Sequence, residues 1–238
     1  MKFPISLSFL FIFISLPVMA ETEGVSYSNL DPLESVNRPI FVFNDKLDRF
    51  ILRPIAVGYD TISPDFIQRG VGNIFSNTAD FTTSLNRILQ GDFVKATSSG
   101  GRFLVNSTLG LLGIFDVASG MGIDEAKTDF GQTLSVWGFS SGPYLMVPVF
   151  GPRTVRSGAG TIVDSFSSVE RQIDNVPLRN SVWGIKVIDG RAELLKADDL
   201  ITGDRYIFVR DAYLQRRKAF ESGNSVIDNF EYETEEEF

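Results

Sequence analysis

The chain of 238 residues carries 22 basic and 30 acidic side chains, a formal net charge of −8, and contains neither cysteine nor histidine. The acidic balance argues against a nucleic-acid-binding surface. The two missing residue types exclude Cys/His zinc sites, cysteine nucleophiles and Ser-His-Asp catalysis. We therefore expect a protein that is not an enzyme, and no sequence pattern indicates a cofactor or a metal site.

The N-terminal segment has the layout of a secretory signal peptide. Lys2 precedes an apolar run over residues 5–16, and a small-residue ending follows at Ala20. The run is shorter than the roughly 20 residues that a helix needs to cross a bilayer. We expect export with cleavage after Ala20, so that residues 1–20 are the signal peptide and residues 21–30 a linker.

A first amphipathic helix is predicted to begin at Asp31. This residue can cap free backbone N–H groups, Pro32 suits the first helical turn and Glu34 can complete a capping box. Apolar residues then recur at three- and four-residue intervals as far as Ile51. Pro39 lies inside this pattern and is expected to bend the helix or break its first turns.

Two further amphipathic segments follow. Asp80 and the apolar residues after it indicate a helix that ends at Gly91, and Asp92 offers a cap for the next one. Because the connection is short, the two helices are expected to be antiparallel neighbours. The second segment, residues 93–112, is interrupted by a Ser-Ser-Gly-Gly sequence at 98–101, which does not suit an ordinary transmembrane helix.

Glycine recurs every few residues between 110 and 160, with Pro143, Pro148 and Pro152 interspersed. This composition predicts a long structured loop, in which only residues 144–147 have some strand character. An apolar loop of this length inside a compact domain usually has a functional role. Spacing alone leaves a second interpretation open, a set of tight turns between short helices.

The C-terminal part returns to helical spacing. One helix is predicted from Ile185 to near Gly203, and a second one follows Asp204. We expect the two to pack together as a hairpin. The helical domain should then span residues 31–221, and the acidic stretch 222–238 should be disordered because it has too little apolar area to bury.

One catalytic motif matches by chance. Residues 138–142 read Gly-Phe-Ser-Ser-Gly and fit the nucleophile elbow of lipases and esterases. The serine has no histidine as its base, no alternating strand and helix pattern precedes it, and Pro143 opposes the helix that should follow. We interpret the segment as a turn and disfavour a lipase.

A series of short strings occurs in order along residues 31–220. They are Asp31-Pro32-Leu33-Glu34, Asn37-Arg38, Phe43-Asn44, Arg53-Pro54, Leu89-Gln90-Gly91-Asp92, Arg102-Phe103, Asn106-Ser107-Thr108-Leu109-Gly110, Phe115-Asp116-Val117-Ala118, Asp129-Phe130-Gly131-Gln132-Thr133-Leu134, Gly142-Pro143-Tyr144, Pro148-Val149-Phe150-Gly151 and Val209-Arg210-Asp211-Ala212-Tyr213. Together they resemble the MlaA (VacJ) family of outer-membrane phospholipid transport proteins, over nearly all of the chain after the signal peptide.

The resemblance implies a mainly α fold, a ring-like bundle of amphipathic helices with a Gly/Pro-rich hairpin loop. Such a ring lies on the periplasmic side of the outer membrane around an amphipathic channel. Misplaced outer-leaflet phospholipid passes through the channel to a periplasmic lipid carrier protein, which maintains lipid asymmetry, and a porin trimer is the implied partner in the membrane. Family members carry an acylated cysteine that this sequence lacks, so we expect the helical ring itself to hold the membrane.

The resemblance further implies that a loop beside the channel gates it, and residues 130–150 match that loop. Its glycines would let the backbone hinge, and the side chains of residues 144–146 are expected to touch lipid. Phe43 and Asn44 match a family segment to which we assign a supporting role for the channel. The gating residues are expected to be Phe130, Gly131, Gly138, Gly142, Pro143, Tyr144, Leu145, Met146, Pro148 and Phe150.

Two points stay open at this level. The alternative to transport is a structural envelope protein or a cell-spreading factor, as the older family name implies. The acidic end of the chain, residues 231–238, is a candidate for attracting a basic face of the periplasmic carrier, and simple solubilisation is the competing explanation.

Overall fold

The computed structural model describes residues 31–222, which form nine α-helices and one two-stranded antiparallel sheet. The predicted signal peptide, the linker and the acidic tail beyond residue 222 lie outside the described residues. The elements are α1 (Glu34–Leu47), α2 (Arg53–Ile62), α3 (Asp65–Leu89), α4 (Phe93–Thr108), α5 (Val117–Gly120), α6 (Phe130–Val136), β1 (Tyr144–Val147), β2 (Gly151–Thr154), α7 (Val155–Ser167), α8 (Val176–Glu193) and α9 (Arg205–Glu221). A π-helical turn, Asp48–Leu52, joins α1 to α2, and 3-10 turns cover Val169–Gln172 and Leu195–Leu200.

Two predicted helix starts are confirmed by their caps. The Asp92 carboxylate accepts the backbone N–H of Lys95 at 3.1 Å and begins α4. The Asp204 carboxylate accepts the N–H of Tyr206 at 2.9 Å and begins α9. Both caps satisfy N–H groups that have no partner inside the helix. The aspartate and the residues that follow it were therefore enough to predict where each helix begins.

The first helix begins at Glu34 and continues past Pro39 to Leu47, so the predicted break is wrong. Proline removes one intrahelical hydrogen bond. The side chains of Asn37 and Asn44, on either side of Pro39, bind α1 to the backbone of β1. Asp31 lies just before the helix and is buried. Its carboxylate accepts the N–H of Leu33 at 3.2 Å and fixes the entry of the chain into α1.

The third helix corrects a predicted boundary. It begins at Asp65, after Pro64, and not at Asp80. Asp80 lies in the middle of α3 and is buried, where its carboxylate pairs with the Arg102 guanidinium at 3.2 Å. An aspartate that resembled a helix cap is therefore one partner of a buried ion pair.

Helices α3 and α4 are antiparallel neighbours, as their short connection predicts. The amide of Asn77 donates to the hydroxyl of Ser107 at 2.9 Å, and the hydroxyl of Ser84 donates to the carbonyl of Ala96 at 2.9 Å. The contacts thus run in opposite directions along the two helices, from the middle of α3 to the end of α4 and from the later part of α3 to the start of α4. Helix α4 continues through residues 98–101, and these small residues let the two helices approach closely.

The predicted long loop is wrong for about half of its length. Between residues 110 and 160 the chain forms two short helices, both strands and the start of α7, which agrees with the second interpretation. The strand predicted at 144–147 is confirmed. It pairs with β2 so that Tyr144 faces Thr154 and Val147 faces Gly151, and residues 148–150 form the connecting turn.

The predicted hairpin of the last two helices is also wrong. Helix α8 packs mainly against α2 and α3, whereas α9 packs against β2. The sequence spacing located both helices, but α8 begins at Val176 and ends at Glu193 instead of running from Ile185 to near Gly203. The spacing carried no information about their partners, because a 3-10 turn and a loop separate the two helices and allow them to diverge.

The main contacts link the elements into a closed circuit. Helix α1 contacts β1, β1 pairs with β2, and β2 contacts α7. Helix α7 packs on α6, α6 on α3, α3 on α8, and α8 on α2, which continues from α1 through the π-helical turn. The mainly α fold is confirmed, and this circuit matches the ring-like arrangement that the resemblance implies.

The interior of the described region is unusually polar and its surface unusually apolar. Seven apolar residues are buried, against seventeen polar or charged ones, whereas thirty-nine large apolar side chains are exposed. A water-soluble domain buries its apolar residues, so this distribution is typical of a protein that faces an apolar surrounding. In residues 31–222 no helix is both long and apolar enough to cross a bilayer.

Candidate functional site

A polar cavity of about 560 Å³ lies between α3, α8 and the segment that follows α4. Its lining is almost entirely charged or hydrogen-bonding. The residues are Asp65, Gln68, Arg69, Gly72, Asn73, Ser76, Arg102, Asp116, Ser119, Glu125, Lys127, Asp189 and Glu193.

One stripe of α3 supplies the largest share of this lining. The stripe runs through Asp65, Arg69, Gly72 and Ser76, at intervals of three and four residues. Because 3.6 residues complete a helical turn, these positions lie on one face of α3. A single helix therefore presents a polar wall about three turns long.

Arg102 forms the floor of the cavity through a buried charge network. Its guanidinium binds Asp80 at 3.2 Å, Asp116 at 3.0 Å and the Ser119 hydroxyl at 3.0 Å. Burial raises the pKa of Asp80 to about 6, although the charge of Arg102 acts in the opposite direction. Burial would also raise the pKa of Asp116, but hydrogen bonds from Ser119, Asn106 and Arg102 lower it to about 2. The positive charge of Arg102 is thus already balanced within the network.

The opposite wall comes from α8. Asp189 is buried and accepts the hydroxyl of Tyr59 at 2.8 Å, and burial raises the pKa of that tyrosine. Glu193 lies one turn further along α8. A Cβ added at Gly72 of α3 would lie 3.9 Å from a carboxylate oxygen of each of these two acids. A methyl group at this position would thus be tolerated, whereas a large side chain would enter the gap between the two walls.

An apolar groove of about 500 Å³ lies on the neighbouring face of α3. Its apolar lining comes from Phe66, Ile67, Val71, Ile74, Ile114 and Phe115. Phe66 and Phe115 are more than half exposed. The groove is thus an open apolar surface beside a charged cavity.

Two side chains line both spaces. Arg69 and Asn73 border the polar cavity on one side and the apolar groove on the other. The Asn73 amide donates to the carbonyl of Ile114 at 2.9 Å, which fixes this boundary in place. The two spaces together form one amphipathic site with a shared wall on α3.

The hairpin of β1 and β2 is held along α1 by two asparagines. The Asn37 amide donates to the carbonyl of Tyr144 at 3.0 Å, and its oxygen accepts the N–H of Met146 at 2.8 Å. About two helical turns further along α1, the Asn44 amide donates to the carbonyl of Val147 at 3.0 Å. The outer edge of β1 has no neighbouring strand, and the two carboxamides bind backbone groups that such a strand would otherwise bind.

Asn44, one of the two predicted support residues, contacts the predicted gate directly, whereas the side chain of the other, Phe43, is 53% exposed. Their supporting role stays a prediction. The asparagine contacts are compatible with it, because they fix the hairpin to the helix without any apparent contact with the polar cavity.

The residues predicted to touch lipid are largely buried. Tyr144 and Met146 form a small apolar cluster with Tyr206, and only 1% and 4% of their respective surfaces are exposed. Leu145 is half-buried. In this conformation the first two side chains have no surface with which to touch lipid, because strand alternation turns them toward the core.

The other predicted gate residues are divided between surface and core. Gly131 is buried in α6, where a Cβ would lie 3.1 Å from the Cα of Ser157, so it serves a close helix contact and not a hinge. Phe130 is half-buried. The exposed ones are Gly138, Gly142, Pro143, Pro148 and Phe150.

None of the predicted gate residues lines the polar cavity. The cavity residues on α3 and α8 were missed by sequence reasoning. The polar stripe of α3 was a usable signal, but the helix was predicted to begin only at Asp80, so residues 65–76 were not assigned to a helix face. Within residues 31–222 no group of acidic side chains is arranged to hold a metal ion.

The chain is similar in sequence to a family of known proteins. Residues 29–220 match the family model described as MlaA lipoprotein. A protein of Escherichia coli, named intermembrane phospholipid transport system lipoprotein MlaA, is 34% identical over 82% of this chain and 80% of its own length. The protein of the same name from Haemophilus influenzae is 33% identical with the same coverage, and a protein of Rickettsia prowazekii is 40% identical over 79% of this chain and 77% of its own length.

A solved structure gives the same result at the level of the fold. It comes from work on the structural basis for maintenance of bacterial outer membrane lipid asymmetry, and it is 34% identical to this chain. The TM-score is 0.70, and the match covers 80% of this chain and 98% of the solved one. The family model, the relatives and the structure agree, and the chain belongs to the MlaA family.

Proposed function

We propose that this protein transports phospholipid at the outer membrane and so maintains the lipid asymmetry of that membrane. Misplaced outer-leaflet phospholipid enters the amphipathic site on α3 and passes to a periplasmic lipid carrier protein. The observation that carries this proposal is the shared wall, where Arg69 and Asn73 separate a charged cavity from an apolar groove.

The physical requirement is that a lipid keeps both of its parts in suitable surroundings. A charged headgroup that crosses hydrocarbon without compensation costs several kcal/mol. The polar cavity supplies hydrogen bonds and charges for the headgroup, while the groove accepts acyl chains. The two spaces are adjacent, so a lipid can occupy both at once.

The apolar exterior provides the attachment to the membrane. Exposed apolar side chains cluster in the loop after α4, where Leu109, Leu111, Leu112 and Phe115 are each more than half exposed. Burial of apolar area contributes about 25 cal/mol per Å², so a few such side chains equal one acyl chain. Since the sequence contains no cysteine for acylation, we assign the membrane attachment to this surface, with a porin trimer as a further partner.

A substitution at Gly72 tests transport through the cavity. Gly72→Trp places an indole between the walls of α3 and α8, whereas Gly72→Ala adds only a methyl group at an ordinary contact distance of 3.9 Å. In a strain from which the gene is deleted, the wild-type and alanine proteins should restore resistance to detergent with chelator. They should also lower the surface phosphatidylethanolamine that an impermeant amine-reactive dye labels on intact cells. The tryptophan variant, at equal protein level, should do neither.

Two results would contradict the proposal in different ways. Full restoration by Gly72→Trp would show that lipid does not pass through this cavity. A deletion strain with normal surface phospholipid and normal detergent resistance would favour the structural or cell-spreading role, since a scaffold does not need an open cavity.

A further inference from the structure

We propose that the polar cavity selects phospholipids whose headgroup joins a phosphate to a primary ammonium group, and disfavours lipids of net negative charge. The inference rests on the proposed transport of phospholipid and adds the substrate class. It follows from which charges of the cavity are already paired and from where the unpaired ones lie.

Most of the cavity's positive charge is already paired. Arg102 is bound to Asp80 and Asp116, and the ammonium group of Lys127 lies 3.1 Å from the carboxylate of Glu125. These contacts leave little positive charge to hold a second anion. A lipid headgroup would therefore interact mainly with the charged side chains of the lining that have no ion-pair partner.

Arg69 is the remaining cation of the lining. Its side chain is exposed, and among residues 31–222 it has no carboxylate within ion-pair distance. It also borders the apolar groove. In a phospholipid the phosphate lies between the acyl-bearing glycerol and the headgroup, so a phosphate at the boundary of groove and cavity would meet this guanidinium, which suits phosphate geometry.

Three carboxylates remain beyond Arg69 on the cavity side. Asp65 lies one turn before it on α3, and Asp189 and Glu193 face it from α8. The two acids of α8 flank the position of Gly72, which is one helical turn from Arg69. This separation is of the same order as the two-carbon link between the phosphate and the ammonium group of an ethanolamine headgroup.

The balance of these charges determines the selectivity. Three carboxylates against one guanidinium attract an ammonium group and repel a headgroup that adds no positive charge. A glycerol headgroup leaves the phosphate charge uncompensated beside these acids. We expect the ethanolamine lipid to bind on the order of tenfold more tightly than the glycerol lipid.

A competition experiment tests the selection. The full-length protein, purified in a non-ionic detergent, is incubated with vesicles that contain equal amounts of phosphatidylethanolamine and phosphatidylglycerol with the same acyl chains. The lipids that remain bound after repurification are quantified by mass spectrometry. Because both lipids compete within one sample, their ratio does not depend on the fraction of folded protein.

The wild-type protein should be enriched on the order of tenfold in the ethanolamine lipid. The double variant D65N/E193Q should bring the ratio severalfold closer to unity, since it removes two negative charges from the lining. Arg69→Gln should lower the amount of both lipids severalfold, and Arg69→Lys should restore part of it. The control variants Asp174→Asn and Arg216→Gln, which change exposed charges outside the cavity, should match the wild type.

The outcomes separate this inference from the proposed function. Bound lipid in a ratio of unity, or a ratio that D65N/E193Q leaves unchanged, overturns the headgroup selection while phospholipid binding stands. A wild-type protein that retains neither lipid overturns both.

Discussion

The side-chain oxygen of Asn44 accepts the backbone N–H of Val149 at 2.8 Å, and the same carboxamide donates to the carbonyl of Val147 at 3.0 Å. A single side chain of α1 therefore binds the last residue of β1 and the middle residue of the turn that leads to β2. The turn contains a backbone conformation that is unfavourable for its residue, since Val149 has a φ of 69°. The two contacts stabilise that conformation and fix the tip of the hairpin.

Removing the Asn44 carboxamide should loosen the tip of the hairpin. Asn44→Ala loses two hydrogen bonds, each of which contributes about 0.5 to 1.5 kcal/mol. The amide of Val149 should then exchange with solvent about 10 to 100 times faster, as measured by hydrogen exchange with mass spectrometry. Asn180→Ala, at an exposed position of α8, is the matched control and should leave this exchange unchanged. An unchanged exchange rate in Asn44→Ala would show that the conformation of the turn does not depend on the Asn44 side chain.

The conformation of Val149 predicts a stabilising substitution. Glycine adopts a positive φ without steric cost, so Val149→Gly should raise the free energy of unfolding by about 1 kcal/mol. The same change at Val147, which is in an extended strand, should lower it by about 0.5 to 1 kcal/mol. Thermal unfolding of both variants in detergent gives the comparison. Shifts of the same sign would mean that Val149 is not strained.

Local signals predicted several elements of the fold correctly. Asp92 and Asp204 cap helices because the side chain and the N–H groups that it binds are neighbours in sequence. The strand at 144–147 could also be predicted from its immediate neighbours, because turn-forming residues flank it on both sides. These features depend on a few consecutive residues, and the sequence contains all of them.

The interior could not be predicted in this way. In a water-soluble protein, hydrophobic periodicity indicates the buried face of a helix, but α3 buries the polar side chains of Asn77, Asp80, Thr83 and Asn86. That rule holds for a protein surrounded by water. In an apolar surrounding the apolar face of a helix points outward and its polar face points inward. The cavity was missed for a second reason: its walls bring together Asp65 and Asp189, which are far apart in sequence, and no local pattern encodes that proximity.

The contact between α6 and α7 should tolerate no side chain at Gly160. A Cβ there would overlap the backbone nitrogen of Gly131 and lie 2.7 Å from its Cα, and backbone atoms of a packed helix cannot move aside freely. Gly160→Ala should therefore lower the free energy of unfolding by about 1 to 3 kcal/mol, as measured by thermal or chemical denaturation in detergent.

Gly184→Ala is the matched control for that substitution. Gly184 lies inside α8 with no atom within 4 Å of an added Cβ, so alanine should stabilise the helix by about 0.5 to 1 kcal/mol. A loss of stability at Gly184 as large as that at Gly160 would indicate a general intolerance of alanine rather than a specific close contact.

The ion pair of Asp80 and Arg102 predicts a pH dependence of stability. Burial raises the pKa of Asp80 to about 6, above the value of about 4 in an unfolded chain. A carboxyl group with a raised folded-state pKa stabilises the fold below the unfolded pKa, and this contribution is lost as the pH rises through about 6. Asp80→Asn cannot titrate. The free energy of unfolding of the wild type, relative to this variant, should therefore fall by about 2 kcal/mol between pH 4 and pH 7.

Asp116 gives the contrasting control, because it contacts the same Arg102 but its pKa is lowered to about 2. Its stabilising contribution is present above the unfolded pKa and is lost only as the pH falls toward 2. The stability difference between the wild type and Asp116→Asn should therefore stay nearly constant between pH 5 and pH 7. Chemical denaturation of both variants over this range measures the two slopes. A flat difference for Asp80→Asn would show that Asp80 is ionised throughout the range, and that Arg102 fully compensates for its burial.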